Sequence, residues 1–288
     1  MPPLLHRLAS FTYTAFLFTK SDIKTTVIPI SIFAMAAAPI TSWSRLPHVV
    51  FWIWFHLLHF NVSNQIINPD EDALNKRDRP LPAGRITLRN ATILRWALAP
   101  LCFALSACYS PEIMYTSIAM FLLIVLYNEL DAHAGHWLVR NAMNALGLAT
   151  FEVGATLVGG PNPHSLDQVG TLAVCLSTGI IVTTYHVQDF KDEDGDRAIG
   201  RRTIPIMFPS IARWTIIMPL ILWSFGIATV WNLDMATAAA FVALALYIGG
   251  RFVSFKTVKD DQVSFYWYNL WLSAVHVFPG YYRLMTYA

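Results

Sequence analysis

The sequence predicts an all-α fold: a polytopic membrane bundle of about nine transmembrane helices around a central cavity, one domain over residues 1–288. Three observations predict it. Of the 288 residues, 55% are hydrophobic and 13% charged, where a soluble domain is about 25% charged. Apolar runs of the roughly 20 residues that a membrane helix needs recur along the whole chain. Lys and Arg also fall on alternate connections, as they do when one side of a membrane is cytosolic.

The elements follow in order. The N-terminal stretch "MPPLLHRLASFTYTAFLFTKSD" has a short apolar run between Arg7 and Lys20 and no convincing cleavage site, so a retained interfacial helix is expected. Spans are placed at 22–41, 47–67, 91–109, 112–128 and 138–159, then at 168–188, 209–231, 234–250 and 263–285. The second is built on "HVVFWIWFHLLHF", and the eighth is short. With nine spans, sixteen of the twenty Lys and Arg residues fall on the side of the N-terminus. The opposite side holds Arg45 and Arg283, while Arg95 and Arg213 lie within spans. The N-terminus and both acidic connections are therefore expected in the cytosol.

Some functions are excluded early. A net charge of +2 with scattered basic residues does not suggest nucleic acid. Cys102, Cys108 and Cys175 sit in apolar segments without metal-ligand spacing and read as packing residues. No phosphate-binding glycine loop of the Walker type is present, so nucleotide hydrolysis is not indicated.

Two stretches carry the chemistry. "NQIINPDEDALNKRDRPLPAG" (64–84) follows the second span, and "YHVQDFKDEDGDRAIGRRT" (185–203) follows the sixth. Nine of the eighteen Asp and Glu residues fall within 70–78 and 189–196. The spacing is helical: Asn64, Asn68 and Asp72 recur every four residues, and Asp189, Asp192 and Asp196 at three and four. Both stretches leave the membrane on one side and can converge. Facing carboxylates need a cation between them, and oxygen-only ligands suit Mg²⁺, which keeps room for substrate phosphate. Lys76, Arg79, Arg140 and Arg201 flank the acids and can neutralise a diphosphate. Pro69 breaks or kinks the helix, so Asn68 is either a metal ligand or an N-cap of the next turn.

These residues also carry a resemblance. Asn64-x3-Asn68-x3-Asp72, followed by Arg79-Pro80 and Pro82-Ala83-Gly84-Arg85, resembles the first signature of the UbiA superfamily of intramembrane prenyltransferases. "DFKDEDGDRAIGRRT", with Asp189, Asp192 and Asp196 and the trailing Gly200, resembles the second. Asn68 departs from the pattern, which usually has Asp there. "HWLVRNAMNALGLATFEVGAT" (136–156) is similar to a fungal branch that includes membrane-bound terpene cyclases. The resemblance implies Mg²⁺-assisted loss of diphosphate from an allylic prenyl diphosphate, most simply farnesyl diphosphate, in a site on the cytosolic side of the endoplasmic reticulum. The partners it implies are the prenyl diphosphate and the lipid bilayer, with no protein partner.

What captures the allylic cation separates the readings. In a cyclase it is the substrate's own double bonds; in a prenyltransferase it is an aromatic or other acceptor. Glu152 is the one carboxylate well inside a span, and can steer a cation, take a proton, or bond a neighbouring helix. A transporter would place its acids and broken helices near the membrane midplane; here they cluster at the cytosolic edge, among Arg and Lys.

Overall fold

The computed structural model describes residues 3–39, 42–67, 69, 72, 76–129, 136–198 and 200–287. It is helical throughout, with no β-strand among the described residues. Helix α1 (Pro3–Thr19) passes through a 3₁₀ turn (Lys20–Asp22) and a π turn (Ile23–Val27) into α2 (Ile28–Ala37). The wide turn lies just before Pro29, which has no N–H to return to the preceding turn. Then come α3 (Leu46–Gln65), α4 (Leu88–Ala107), α5 (Pro111–Asn128), α6 (Trp137–Gly159) and α7 (Gln168–Thr184). Two short helices follow, α8 (Glu193–Ala198) and α9 (Ile204–Met207), before α10 (Trp214–Val230), α11 (Met235–Ser254) and α12 (Val258–Tyr287).

Side-chain caps set several starts. Thr87, Ser110, Asp167 and Asp234 each accept a backbone N–H from the first turn of α4, α5, α7 and α11. Pro111 follows its Ser110 cap directly, where a missing N–H costs nothing.

From α2 onward each long helix packs on the next long helix in sequence, with α7 against α10, and α12 packs on α2, closing a ring; α1 lies against α3. One buried cluster joins α7, α10, α11 and α12 around Trp231, Phe241, Tyr268 and Trp271. A second joins α2, α3, α5 and α6 around Trp52, Ile53 and Phe151. Lipid cannot be pushed away from a helix as water can, so polar pins matter more between membrane helices. Trp271 Nε1 donates to Ser224 Oγ (3.0 Å), Trp52 Nε1 to Ser106 Oγ (2.9 Å), and His56 Nε2 bonds Ser117 Oγ (2.8 Å). On α10 the outward residues Trp214, Met218, Leu222 and Phe225 are apolar and exposed, while Ile216, Leu220, Ser224 and Ile227 face inward. An apolar outer surface is what a bilayer requires.

Every segment expected to span contains a helix, though the boundaries differ. Among the described residues, five helices have the length and hydropathy to cross a membrane, within Leu88–Ala107, Pro111–Asn128, Trp137–Gly159, Gln168–Asp189 and Met235–Ser254; Trp214–Val230 is apolar but shorter. The segment expected from 209 starts only at Trp214, because Pro209 to Arg213 form turns. The segment expected to be short, 234–250, runs to Ser254 and is 20 residues long.

Candidate active site

Asn64 lies half-buried in the last turn of α3, which ends at Gln65. Asn68 lies outside the described residues. Asp72 is buried, and Arg79 Nη1 reaches both its carboxylate oxygens, at 2.7 and 2.8 Å. Two backbone bonds help to bring them together: Lys76 N–H donates to Asp72 O and Arg79 N–H to Lys76 O. Gly84 closes this loop with φ +65°, a left-handed conformation that glycine adopts without a Cβ clash.

The second stretch is built differently. After α7 the chain tightens into a 3₁₀ turn, Tyr185–Asp189, which ends on the buried carboxylate of Asp189. Arg140, in the first turn of α6, donates to Asp189 through Nη1. Asp192 is half-exposed and paired with Lys191 Nζ at 2.5 Å. Asp196, on α8, is buried and accepts from Arg201 Nη1 at 2.7 Å. Gly200, at φ +73°, turns the chain back so that Arg201 can reach it. The expected three- and four-residue helical run is thus broken: Asp189 ends one turn and Asp196 sits in another helix.

The two stretches meet. The ammonium of Lys76 is held below the ordinary lysine value, first by the protein packed around it and then by Arg79. Asp192 and Asp72, one from each stretch, pull it back up. Arg140 likewise feels Asp196 as well as Asp189. Each expected phosphate-binding cation except Lys76 is bonded to an acid of the site, so the cluster is neutralised internally.

Oxygen donors of this kind suit a hard divalent cation. Among the described residues no three His, Cys, Asp or Glu side chains gather as a metal-binding group. The fit rests on Asp196, whose second carboxylate oxygen is buried with no protein partner. A buried carboxylate oxygen left unbonded is costly, and a cation would satisfy it.

Beneath the charges lies an apolar cavity between α3, α5 and α6. Tyr127, Asn144 and Tyr185 line its charged end; Leu57, Met120, Leu148 and Phe151 line the rest. Tyr185 begins the 3₁₀ turn that ends at Asp189, which ties the cavity mouth to the acid cluster. A larger groove of about 1200 Å³ lies elsewhere, between α2 and α12, away from these charges.

Glu152 is not among the cavity-lining residues. It is fully buried between α6, α7 and α12, where Ser177 Oγ donates to Oε1 at 2.6 Å. His276 Nε2 lies 3.5 Å from the same oxygen, and His276 Nδ1 lies 3.2 Å from Pro29 O. Oε1 thus bonds a neighbouring helix, while Oε2 is buried without a protein partner among the described residues.

Sequence reasoning missed Tyr127, Tyr185 and Asp22. Tyr185 was within reach, lying one turn before Asp189 on the same 3₁₀ segment. Asp22 accepts from Asn61 Nδ2 at 2.8 Å, a contact over 39 positions that no local pattern announces.

The chain matches the model of the UbiA prenyltransferase family over residues 26–272. It is 37% identical over 278 residues to the fumagillin beta-trans-bergamotene synthase af520 of Aspergillus fumigatus, covering 96% of this chain and 94% of that one. It is 33% identical over 240 residues to the diterpene cyclase eriG of Hericium erinaceus, covering 80% and 76%. Its fold is similar to that of a UbiA homolog from Archaeoglobus fulgidus, a structure with bound DMAPP and Mg²⁺. The TM-score is 0.70 at 15% identity, covering 93% and 97%.

Proposed function

The chain belongs to the UbiA prenyltransferase family, and from that membership we propose that it is a membrane terpene cyclase. It ionises farnesyl diphosphate and closes the chain to a sesquiterpene hydrocarbon. The carbon–oxygen bond breaks toward diphosphate, an internal double bond captures the cation, and the final carbocation gives up one proton. The observation that supports the reading is the apolar cavity whose lining residue Tyr185 shares a 3₁₀ turn with Asp189, the partner of Arg140. Overall identity to a bergamotene synthase supports the cyclase over the transferase outcome.

Asn64, Asn68, Asp72, Asp189, Asp192 and Asp196 would hold Mg²⁺. Bound there, the ion supplies charge stabilisation to the leaving diphosphate. Lys76, Arg79, Arg140 and Arg201 bind the remaining phosphate oxygens, the three arginines exchanging carboxylate partners for phosphate ones. The walls formed by Leu57, Met120, Leu148 and Phe151 exclude water, which would otherwise quench the cation. The rings of Tyr127, Tyr185 and Phe151 offer π faces to it. Nine helices cross the bilayer, with the N-terminus and the site on the cytosolic face of the endoplasmic reticulum.

The test is direct. Membranes enriched in the protein are incubated with farnesyl diphosphate and Mg²⁺, without acceptor, and the hydrocarbon extract is analysed. A cyclic C15 hydrocarbon whose formation stops on adding EDTA is the expected result. Product that forms only after an aromatic acceptor is supplied would make the protein a prenyltransferase. No consumption of any prenyl diphosphate would remove the enzymatic reading.

A further inference from the structure

We propose that Phe151, braced from behind by Trp52, sets the longest prenyl chain that the cavity accepts. The proposal rests on the reading that a prenyl diphosphate is the substrate, and it adds what limits that substrate's length. Met143, Asn144, Gly147, Leu148 and Phe151 share the cavity face of α6, and Phe151 is the farthest of them from Arg140 along the helix. On the facing helices the deepest lining residues are Met120 of α5 and Leu57 of α3. The hydrocarbon tail therefore points from Arg140 toward the Phe151 ring.

The distance along α6 selects a length. Arg140 and Phe151 are eleven positions apart, which at 1.5 Å per residue is roughly 16 Å. An extended chain of bonded atoms advances about 1.2 Å per atom, as a peptide backbone does. The twelve-carbon backbone of a farnesyl group then spans about 14 Å, and the sixteen-carbon backbone of a geranylgeranyl group about 19 Å. The shorter chain ends before the Phe151 ring and the longer one runs into it.

Phe151 can act as a stop only if it cannot retreat. Its ring meets Trp52 edge-on, with centroids 6.4 Å apart and planes at 82°. Trp52 is itself immobilised: it is fully buried, Nε1 donates to Ser106 Oγ, and the indole lies over the His56 ring at 4.0 Å. On its other side the indole fills the space above Gly154, where an added Cβ would stand 2.2 Å from Trp52 Cη2. Cores packed to this density do not yield to an extra isoprene unit without strain.

The experiment compares C10, C15 and C20 prenyl diphosphates on the purified full-length protein in lipid nanodiscs. It measures kcat/KM, and also equilibrium binding of the three unreactive thiolodiphosphates, for the wild type, Phe151→Ala, Phe151→Leu and Phe151→Trp. Each methylene newly buried is worth a factor of about four, so Phe151→Ala should raise the C20/C15 ratio at least about tenfold. Phe151→Leu should fall between, and Phe151→Trp should shift preference toward C10. A folded Phe151→Leu and Phe151→Ala with the wild-type chain-length ratio would overturn the assignment. Wild-type protein that binds none of the analogues and turns over none of the substrates would instead sink the prenyl diphosphate reading; the two failures are distinct.

Discussion

Arg140 and Asp189 are 49 positions apart in sequence and share a buried hydrogen bond that ties the start of α6 to the turn after α7. Both side chains belong to the proposed site, so the bond assembles it before substrate arrives. Removing one partner of a buried pair leaves the other charge uncompensated.

Arg140→Leu should therefore lower stability by about 3–5 kcal/mol and abolish turnover. Arg140→Leu/Asp189→Leu should recover part of the stability and none of the turnover. Thermal unfolding in detergent, read beside product formation, separates the two losses. Equal instability in single and double variants would mean that the pair is not the cause.

Asp192→Asn and Asp196→Asn should each cut turnover at least about a hundredfold while the protein stays folded. Asp192 is half-exposed, so its substitution should leave the unfolding midpoint nearly unchanged. The check is the initial rate of diphosphate release across a Mg²⁺ titration. Near-normal rates in both variants would remove these residues from the metal site.

Gly154→Ala should destabilise by about 1–3 kcal/mol, because its Cβ would collide with the fixed Trp52 indole. Gly226→Ala is the matched control. Nothing lies within 4 Å of its new Cβ, and a helix-interior Gly→Ala change should stabilise by about 0.5–1 kcal/mol. Opposite shifts in the two unfolding midpoints are the expected outcome.

Glu152→Gln keeps an oxygen for the Ser177 hydroxyl and should retain turnover within about threefold. Glu152→Leu removes the acceptor of the buried Ser177 hydroxyl, at a cost of about 1–3 kcal/mol. A hundredfold loss of turnover in a stable Glu152→Gln protein would return Glu152 to the chemistry as a proton acceptor.

The helices were legible in the sequence because hydropathy is local: each apolar run announces itself without reference to any other. The two acidic stretches were legible for the same reason. Their pairing was not. That Asp72 takes Arg79, Asp196 takes Arg201 and Asp189 reaches back to Arg140 depends on turns opened by Gly84 and Gly200 and on the packing of α6 against α7. Glu152 shows the limit plainly. Its place in an apolar span marked it as unusual, yet its partners, Ser177 and His276, lie 25 and 124 positions away. Arg95 is similar: a cation inside a span, it is bonded to Glu129 at the end of the next helix.

The ring of helices closes between α2 and α12, and a seam at that place has a consequence for how the protein is made. A chain inserted into the membrane in order has α2 waiting in lipid until α12 arrives. Glu152 meets Ser177 in the very next helix, but His276 comes only with α12, and so does the contact of His276 with Pro29. From the time Ser177 is made until His276 emerges, the nascent chain thus carries that acid with half its partners, and α2 keeps an open flank until α12 arrives. A ribosome that stalls before Val258 releases an unsealed horseshoe, and the quality-control machinery of the membrane has a polar, unpaired surface by which to recognise it.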